Sequence, residues 1–466
     1  MSTDPARIGA FTRDAWLAEI RATLSLAWPM VLTNLAQTAL TTTDIIVLGR
    51  LGAAPLAAGT LGTNLYLAVL LFSIGILTAT SPMMAAAVGR GEHVLREVRR
   101  TFRQGLWSAV IIAVPCWILL WHSRAVLLLL GQEPQLAADA QRFMHFLQWG
   151  ILPALGFVAL RSFVAALERP VWALIVTLAA IVFNIAANWA LVFGHLGLPA
   201  LGLRGSGLAT ALSNTFLFVV MALVVGVSRR FRHYHLFGRL WRPDWPRLVA
   251  LWRLGLPIGA QLALEVTVFN AAVFLMGRFG TIAIAAHSIA IQIASVSFMV
   301  PLGLGQTATV RVSLARGAGD PVGMVRAGWS AFVLAVCFMA MMSLLLLTAP
   351  RFLIAGFIDA GDPANAGVVT AAVSFLAWAA VFQIADGAQV VGAGMLRGLE
   401  DTRMPMLFAG VGYWGIGMSL SLVLAFVAHL GGVGIWIGLA AGLVVVACAM
   451  IGRWIGRARR LLRAAP

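Results

Sequence analysis

Residues 252–277 have the sequence WRLGLPIGAQLALEVTVFNAAVFLMG, an apolar run in which Glu265 is the only acidic side chain. About 20 apolar residues are enough for a helix to cross the hydrocarbon core of a bilayer. Runs of this kind occur at about residues 22–49, 56–86, 104–131, 143–167, 170–194, 203–228, 252–277, 281–310, 328–348, 368–396, 403–428 and 432–455. They lack the period-2 alternation that is typical of a membrane barrel. The sequence therefore predicts an all-α polytopic membrane protein with twelve transmembrane helices.

The composition supports this fold class. Of the 466 residues, 61% are hydrophobic and 11% are charged, whereas about a quarter of the residues of a soluble domain are charged. The first apolar run follows Arg7, Arg13 and Arg21 and is longer than the apolar region of a cleavable signal peptide, which has about 7–15 residues. We therefore expect this run to be retained as the first transmembrane helix.

The distribution of arginine predicts the orientation of the helices. All 33 basic residues are arginine. With an even number of spans, both termini and most of the arginines, Arg161 and Arg397 among them, fall on one side. The exceptions are Arg50, Arg124, Arg142, Arg204, Arg278 and Arg351. Because cytoplasmic loops retain arginine, we expect both termini in the cytoplasm and the protein in the bacterial inner membrane. Topology then explains the net charge of +16, and no nucleic-acid partner is expected.

The chain contains an internal repeat with an offset of 228 residues. The matched positions are mainly glycine and proline: Gly49–Gly52 with Gly277–Gly280, Pro29 with Pro257, and Gly75 with Gly303. Each half carries six helices, so the repeats should be related by an axis along the membrane normal, as in transporters with parallel repeats. The prediction is an N-lobe at 1–228, a cytoplasmic linker at 229–250 and a C-lobe at 251–466. Two bundles of this kind favour a transporter with alternating access, although channels also contain long repeats.

Three acidic side chains, Asp44, Glu265 and Asp386, lie well inside the predicted spans. A charge near the bilayer centre costs about 3 kcal/mol or more, so such residues usually line a cavity and have a function. Removal from water favours the protonated form of a carboxyl group. These groups could therefore take up a proton on one side and release it when hydrated. The alternative is a structural hydrogen bond or, for Asp44 near Arg50, a position close to a helix end.

A sodium ion would instead need an ionised carboxylate and neutral oxygen ligands. Asn184 and Asn188 are four residues apart and hence share one face of the fifth helix, so they could supply such neutral ligands. Hydrogen bonds between helices are the alternative for this pair. Glu265 corresponds in the repeat to Gln37, a further polar candidate. The two lobes therefore place acidic residues differently, and we do not expect them to do the same job.

The sequence shows no motif of an enzyme or an ATPase. Gly410–Gly415, GVGYWG, fits the GxGxxG pattern but lies inside an apolar run with no strand before it, so close helix packing is expected. A Walker motif, a zincin motif and a nucleophile elbow are absent from the sequence. The three cysteines are far apart and indicate no disulfide or metal site. We expect a protein that is not an enzyme and needs no cofactor.

Several stretches in order resemble the multidrug and toxic-compound extrusion (MATE) family. The stretch from Gly255 to Thr267, with Ala285–His287 and Pro301–Gly303, is similar to the family's seventh and eighth helices. Asp386, with Gln389–Val391 and Arg397–Thr402, is similar to the tenth helix and the loop after it, and Pro29, Gln37 and Asp44 fit the first helix. The acids in the seventh and tenth helices as well as the first resemble the NorM-like branch.

The resemblance implies two six-helix lobes in a V-shaped arrangement and export of cationic or amphipathic drugs in exchange for Na⁺ or H⁺. Glu265 and Asp386 then match the family's C-lobe cation site. Asp44, Asn184 and Asn188 match its N-lobe site. Phe382 stands where many relatives have tyrosine, which removes a hydroxyl ligand that a sodium site could use.

The sequence leaves three functions to compare. The first is a secondary active exporter, acting as a monomer in the lipid bilayer on small-molecule drugs and organic cations. The coupling ion of this exporter is Na⁺ or H⁺, which binds at Glu265 with Asp386 or at Asp44. Pro29 and Pro257 act as helix kinks for gating. The second is a flippase for a lipid-linked or amphipathic substrate, which would need a cationic cavity. In-span acids outnumber in-span arginines, which disfavours it. The third, a membrane-embedded enzyme, lacks a convergent nucleophile or metal cluster.

Overall fold

Twelve long helices make up most of the computed structural model, which describes residues 12–359 and 362–464. Each is long and apolar enough to cross a membrane. They are α1 (Arg13–Leu51), α2 (Ala53–Arg90), α3 (Val94–Trp121), α4 (Pro134–Ala166), α5 (Val171–Phe193), α6 (Leu203–Val227), α7 (Trp245–Phe279), α8 (Thr281–Gly317), α9 (Pro321–Thr348), α10 (Pro363–Gly398), α11 (Arg403–Val427) and α12 (Gly431–Arg463). The described residues contain no strand. The predicted all-α class with twelve spans is confirmed.

The surfaces of these helices suit lipid as their solvent. Large apolar side chains stay exposed along them, for example Val182, Phe274 and Leu344. In water an exposed apolar surface of this extent would be a liability, whereas in a bilayer it is the expected outer face of a spanning helix.

Two compact units divide the chain. The first unit is Leu32–Gly259, and the second comprises the described residues up to Val31 and from Ala260 onward. Both limits fall inside a helix, the first within α1 and the second within α7. The lobes expected from the repeat, 1–228 and 251–466, stay a prediction.

The first unit is built around α4, which packs against α2, α3 and α6. Its apolar core includes Tyr66, Leu77, Phe143 and Leu155. Gly75 lies directly against the backbone at Gly259, where a larger side chain would collide. Small residues let helix backbones approach closely in this way, which is how helices pack within a membrane.

The arginine-rich segment before α7 also belongs to the first unit and is packed against α3. The indole Nε1 of Trp107 donates to the carbonyl of Leu240 at 2.9 Å, and Arg100 Nε lies 2.7 Å from the carboxylate of Asp244. Burial by itself would raise the pKa of Asp244, but hydrogen bonds from the Arg100 side chain and the Arg247 backbone, with the charges of both arginines, lower it below its ordinary value. The predicted linker is therefore an ordered, ion-paired part of this unit.

The second unit is built around α10, which packs against α8, α9 and α12. Trp436 and Trp454 are fully buried in its core. In α11 the backbone adopts π-helical geometry at Gly410–Met418 and again at Val423–Val427. Gly412 lies against Gly442 and Val446 of α12 with no room for a side chain. The GxGxxG pattern thus serves close helix packing, as the sequence predicts.

Candidate functional site

Asp44 is held by three side chains from two other helices of the first unit. Its Oδ1 accepts hydrogen bonds from Nδ2 of Asn184 at 3.1 Å and Nδ2 of Asn188 at 2.8 Å, both on α5. Its Oδ2 accepts one from the hydroxyl of Thr210 on α6 at 2.7 Å. The structure therefore brings together Asp44, Asn184 and Asn188, the three residues that the family resemblance places in one site.

These contacts suit an ionised carboxylate, since all three partners donate to it. The side-chain oxygens of Asn184 and Asn188 are buried and make no hydrogen bond within the described structure. Turning either amide over would direct an oxygen toward Asp44 in place of the nitrogen. Carboxylate, amide and hydroxyl oxygens together are the ligand types that hard cations prefer. The same group can thus hold a proton or a small cation.

Thr210 is a member of this site that the sequence does not reveal. Its hydroxyl oxygen also lies 3.0 Å from the carbonyl oxygen of Ser206, four residues earlier, so its single proton is shared between that carbonyl and Asp44. Threonines throughout the helices make the same local bond, for example Thr177 to Ala173. Only the position of α6 against α1 distinguishes Thr210 from them, and the sequence carries no signal for that position.

Gln37 does not join the Asp44 site. Its Oε1 accepts a hydrogen bond from Nη1 of Arg161 at 3.2 Å, and the same nitrogen lies 3.3 Å from Oδ1 of Asn34. Gln37 precedes Asp44 by seven residues, which is about two turns or 10 Å along α1. Arg161, expected from the sequence among the cytoplasmic loop arginines, lies inside α4. The first unit therefore contains a cationic polar group as well as an acidic one.

Glu265 and Asp386 come together in the second unit. The Nε2 of Gln389 on α10 lies 3.4 Å from Glu265 Oε1 on α7 and 3.2 Å from Oδ1 of Asp386, one turn earlier on α10. Asp386 and Gln389 are buried, and Glu265 is half-buried. One amide thus bridges a buried carboxyl group and a half-buried one.

Two carboxylates this close repel each other when both are ionised, and the repulsion is strong where water is excluded. A proton or a cation shared by the pair relieves that repulsion. The Oε1 of Gln389 is buried and unbonded within the described structure, so it is a free oxygen beside both acids. In the sequence, only the family resemblance draws attention to Gln389. Its bridging position follows from the approach of α7 to α10.

Further polar groups surround this pair. Arg397 Nη2 donates to Oε1 of Gln261, one turn before Glu265, at 3.1 Å, and the Arg397 charge interacts with Glu265. The hydroxyl of Tyr413, on the π-helical part of α11, is buried without a hydrogen bond within the described structure. Phe382 instead packs edge-on against Phe269 and Trp436, with ring centroids 5.8 and 5.7 Å away.

Pro29 and Pro257 each lie inside a continuous helix, α1 and α7 respectively. Proline leaves a carbonyl one turn earlier without its helical partner, which makes bending easier there. Their part in gating stays a prediction. Within residues 12–359 and 362–464, no three His, Cys, Asp or Glu side chains converge as a metal site, so the cation candidates are those with carboxyl, amide and hydroxyl oxygens.

Comparisons with known proteins agree on one family. The family model described as MatE matches residues 29–190 and 257–423. The chain is 57% identical over 444 residues to the "Probable multidrug resistance protein NorM" of Mesorhizobium japonicum, covering 95% of each chain. It is 54% identical over 439 residues to the protein of the same name from Brucella suis, covering 94% of this chain and 93% of that one.

Solved structures share the fold. A crystal structure of the eukaryotic MATE transporter AtDTX14 superposes with a TM-score of 0.84 at 21% identity, covering 96% of this chain and 98% of that one. The outward-facing conformation of a multidrug resistance MATE family transporter of the MOP superfamily superposes with a TM-score of 0.85 at 18% identity, covering 96% and 97% of the two chains.

Proposed function

The chain belongs to the MatE family of membrane transporters, and we propose that it is a secondary active multidrug exporter that exchanges cationic or amphipathic small molecules for Na⁺ or H⁺. The names of its relatives support multidrug export. The resemblance of its acidic residues to those of the family supports the exchange. We further propose that it acts as a monomer in the bacterial inner membrane with both termini in the cytoplasm.

The observation that carries this proposal is the pair of carboxyl groups bridged by Gln389. Glu265 and Asp386 lie on different helices, yet a single amide contacts both. Acidic groups kept at membrane depth are expensive and are usually functional. The Gln389 amide carries no charge, and the single charge of Arg397 can offset only one of the two carboxylates. The pair is therefore stabilised when a proton or cation binds and destabilised when it leaves.

Binding at this pair can be linked to transport only if the cation prefers one conformational state. Coupling free energies between two ligands are typically about 1–3 kcal/mol, or about 5–150-fold in affinity. In the proposed exporter, a cation that enters from outside favours the state with the weaker affinity for the drug. Loss of the cation restores the state that binds the drug.

The test uses Glu265→Gln and Asp386→Asn in membrane vesicles that contain the purified protein. Efflux of a fluorescent organic cation is measured while a pH gradient or a sodium gradient is imposed separately. Both variants should lose gradient-driven efflux by about tenfold or more, since each removes the charge that the coupling requires. Glu92→Gln is the matched control, because Glu92 is exposed and lies between α2 and α3.

The outcome also identifies the coupling ion. Efflux driven by the sodium gradient alone indicates Na⁺, and efflux driven by the pH gradient alone indicates H⁺. Full gradient-driven efflux in both variants would refute the assignment of this pair as the coupling site.

A further inference from the structure

The segment of residues 238–245, which we call the arm, crosses α3 where the charged part of that helix ends. Arg103 is the last charged residue of α3, and its two terminal nitrogens donate to two backbone carbonyl oxygens of the arm, each 3.4 Å away. One turn further along α3, the indole of Trp107 donates to the carbonyl of Leu240. A transmembrane helix passes from the lipid headgroups into the hydrocarbon core where its charged residues end. The arm is therefore fixed at the level of the lipid headgroups.

Two tryptophans of the arm are exposed at this level. Trp241 is 73% exposed and Trp245 is 61% exposed. In water, two neighbouring rings of this size would leave a large apolar surface uncovered. At a membrane interface the same rings are favourable, because the body of an indole is apolar and its N–H group is polar. The exposed rings therefore fit a lipid surface.

The arm also carries positive charge that no acid neutralises. The charges of Arg239 and Arg242 both act on Arg103. Asp244 is the one acidic group that acts there, and Arg100 already pairs with it at 2.7 Å. The side chains of Arg239 and Arg242 are exposed, and neither makes an ion pair or a hydrogen bond with the described residues. Two free guanidinium groups therefore remain, and their planar donors match the oxygens of a phosphate group.

The backbone at Arg239 gives an independent reason to assign a role to its side chain. Its φ is 55°, in the left-handed region that glycine adopts freely and that other residues adopt only occasionally. Glycine would be the unstrained choice at this exposed turn, where the side chain has no packing role. Strained positions of this kind cluster where a side chain serves a ligand. The arm therefore keeps a guanidinium group here in spite of the backbone strain.

We propose that the arm binds the headgroups of anionic phospholipids. Arg239 and Arg242 contact the phosphate oxygens, and Trp241 and Trp245 lie between the headgroups and the acyl chains. The tryptophans favour a lipid over a soluble phosphate, because a free anion would leave their rings in water. Trp245 is the first residue of α7, so a lipid bound here holds the beginning of that helix at the membrane surface. The inference does not depend on the proposed export function.

The test follows the unfolding midpoint of the full chain in a neutral detergent while phosphatidylglycerol or phosphatidylcholine is added. The unaltered protein should be stabilised by phosphatidylglycerol at lower concentrations than by phosphatidylcholine, and added salt should weaken this preference. The arm variant combines Arg239→Gly, which suits the left-handed backbone, with Arg242→Gln. An arginine near an anionic lipid surface contributes about fivefold in affinity, so the arm variant should need about 25-fold more phosphatidylglycerol for the same stabilisation. Arg242→Gln alone should need about fivefold more, and it serves as the milder variant if the double one does not fold.

Arg459→Gln combined with Arg460→Gln is the matched control. Both arginines are exposed near the end of α12, so this variant loses two positive charges without any change in the arm. Its response to phosphatidylglycerol should equal that of the unaltered protein. An undiminished response in the arm variant, or an equal loss in the control, would show that the arm is not the lipid site and would overturn the inference.

Native mass spectrometry of the same proteins gives a second readout, which does not depend on stability. The arm variant should retain fewer phosphatidylglycerol molecules than the unaltered protein and the control do. Glycerol 3-phosphate carries the phosphate group without acyl chains, and stabilisation by it as strong as that by phosphatidylglycerol would identify a site for a soluble anion. An unaltered protein without any preference for phosphatidylglycerol would leave the arm to a protein partner. Either of these two results would refute the assignment of the arm to lipid.

Discussion

Replacing Asp44 by asparagine should abolish a charge while leaving the surrounding hydrogen bonds almost intact. An asparagine at this position can accept through its Oδ1 from Asn184 and Asn188, which now donate to Asp44. Its Nδ2 can donate to the hydroxyl of Thr210, whose own proton is already shared with the carbonyl of Ser206 at 3.0 Å. Every donor in the group therefore keeps an acceptor.

The magnitude follows from two opposing effects. Hydrogen bonds to a charged group are worth about 1.5–3 kcal/mol each, against about 0.5–1.5 for neutral ones, so three bonds lose about 3 kcal/mol in total. An ionised carboxylate taken from water carries a desolvation penalty of several kcal/mol, which the amide avoids. The net change in the free energy of unfolding should lie within about 1–2 kcal/mol of zero.

Thermal unfolding in detergent measures this change, with Asp44→Ala as the matched variant. The alanine removes the acceptor altogether and leaves space beside Asn188 and Thr210, so it should lower the midpoint by clearly more than the asparagine does. Cation-dependent stabilisation should decrease in both variants to the part that comes from Glu265 and Asp386, because neither variant retains the charge at position 44. A large drop in stability for Asp44→Asn, comparable with that of alanine, would refute the hydrogen-bond reasoning; undiminished stabilisation by Na⁺ or by lower pH would refute the role of Asp44 in cation binding.

Three further variants test the packing and the ion pairs. Asp244→Asn should lower the free energy of unfolding at neutral pH by about 1 kcal/mol. Because the pKa of Asp244 is lowered in the folded state, this contribution is present above the ordinary carboxyl pKa and is lost as the pH falls through the folded-state pKa. The difference in unfolding midpoint between the variant and the unaltered protein should therefore shrink on acidification, and a constant difference would contradict the ion-pair reasoning. Gly394→Ala should lower the unfolding midpoint strongly, because an added Cβ would collide with the backbone of Gly305. Gly226→Ala is the control: Gly226 has open space around it in α6, so this variant should gain up to about 1 kcal/mol in the free energy of unfolding. Equal midpoints for these two alanine variants would show that the close approach of α8 to α10 is not required.

The sequence by itself determined the fold class, because lipid imposes a local rule: each spanning segment must satisfy its own backbone and carry apolar side chains. The same rule made Asp44, Glu265 and Asp386 stand out, since an acidic side chain inside an apolar run needs an explanation regardless of where that helix packs in the fold. The spacing of Asn184 and Asn188 showed that they share a face, which required only helix geometry.

Tertiary structure decided which of these polar groups meet. Gln37 contacts Arg161 and not Asp44, although it shares a helix with Asp44, because α4 approaches α1 two turns away from α5. Gln389 reaches Glu265, and Thr210 completes the Asp44 site, through contacts between residues more than a hundred positions apart. Charge and periodicity are properties of a single segment and are written in the sequence. The partner of a buried polar group depends on how whole helices pack, and that packing is set by many small contacts that no local pattern records.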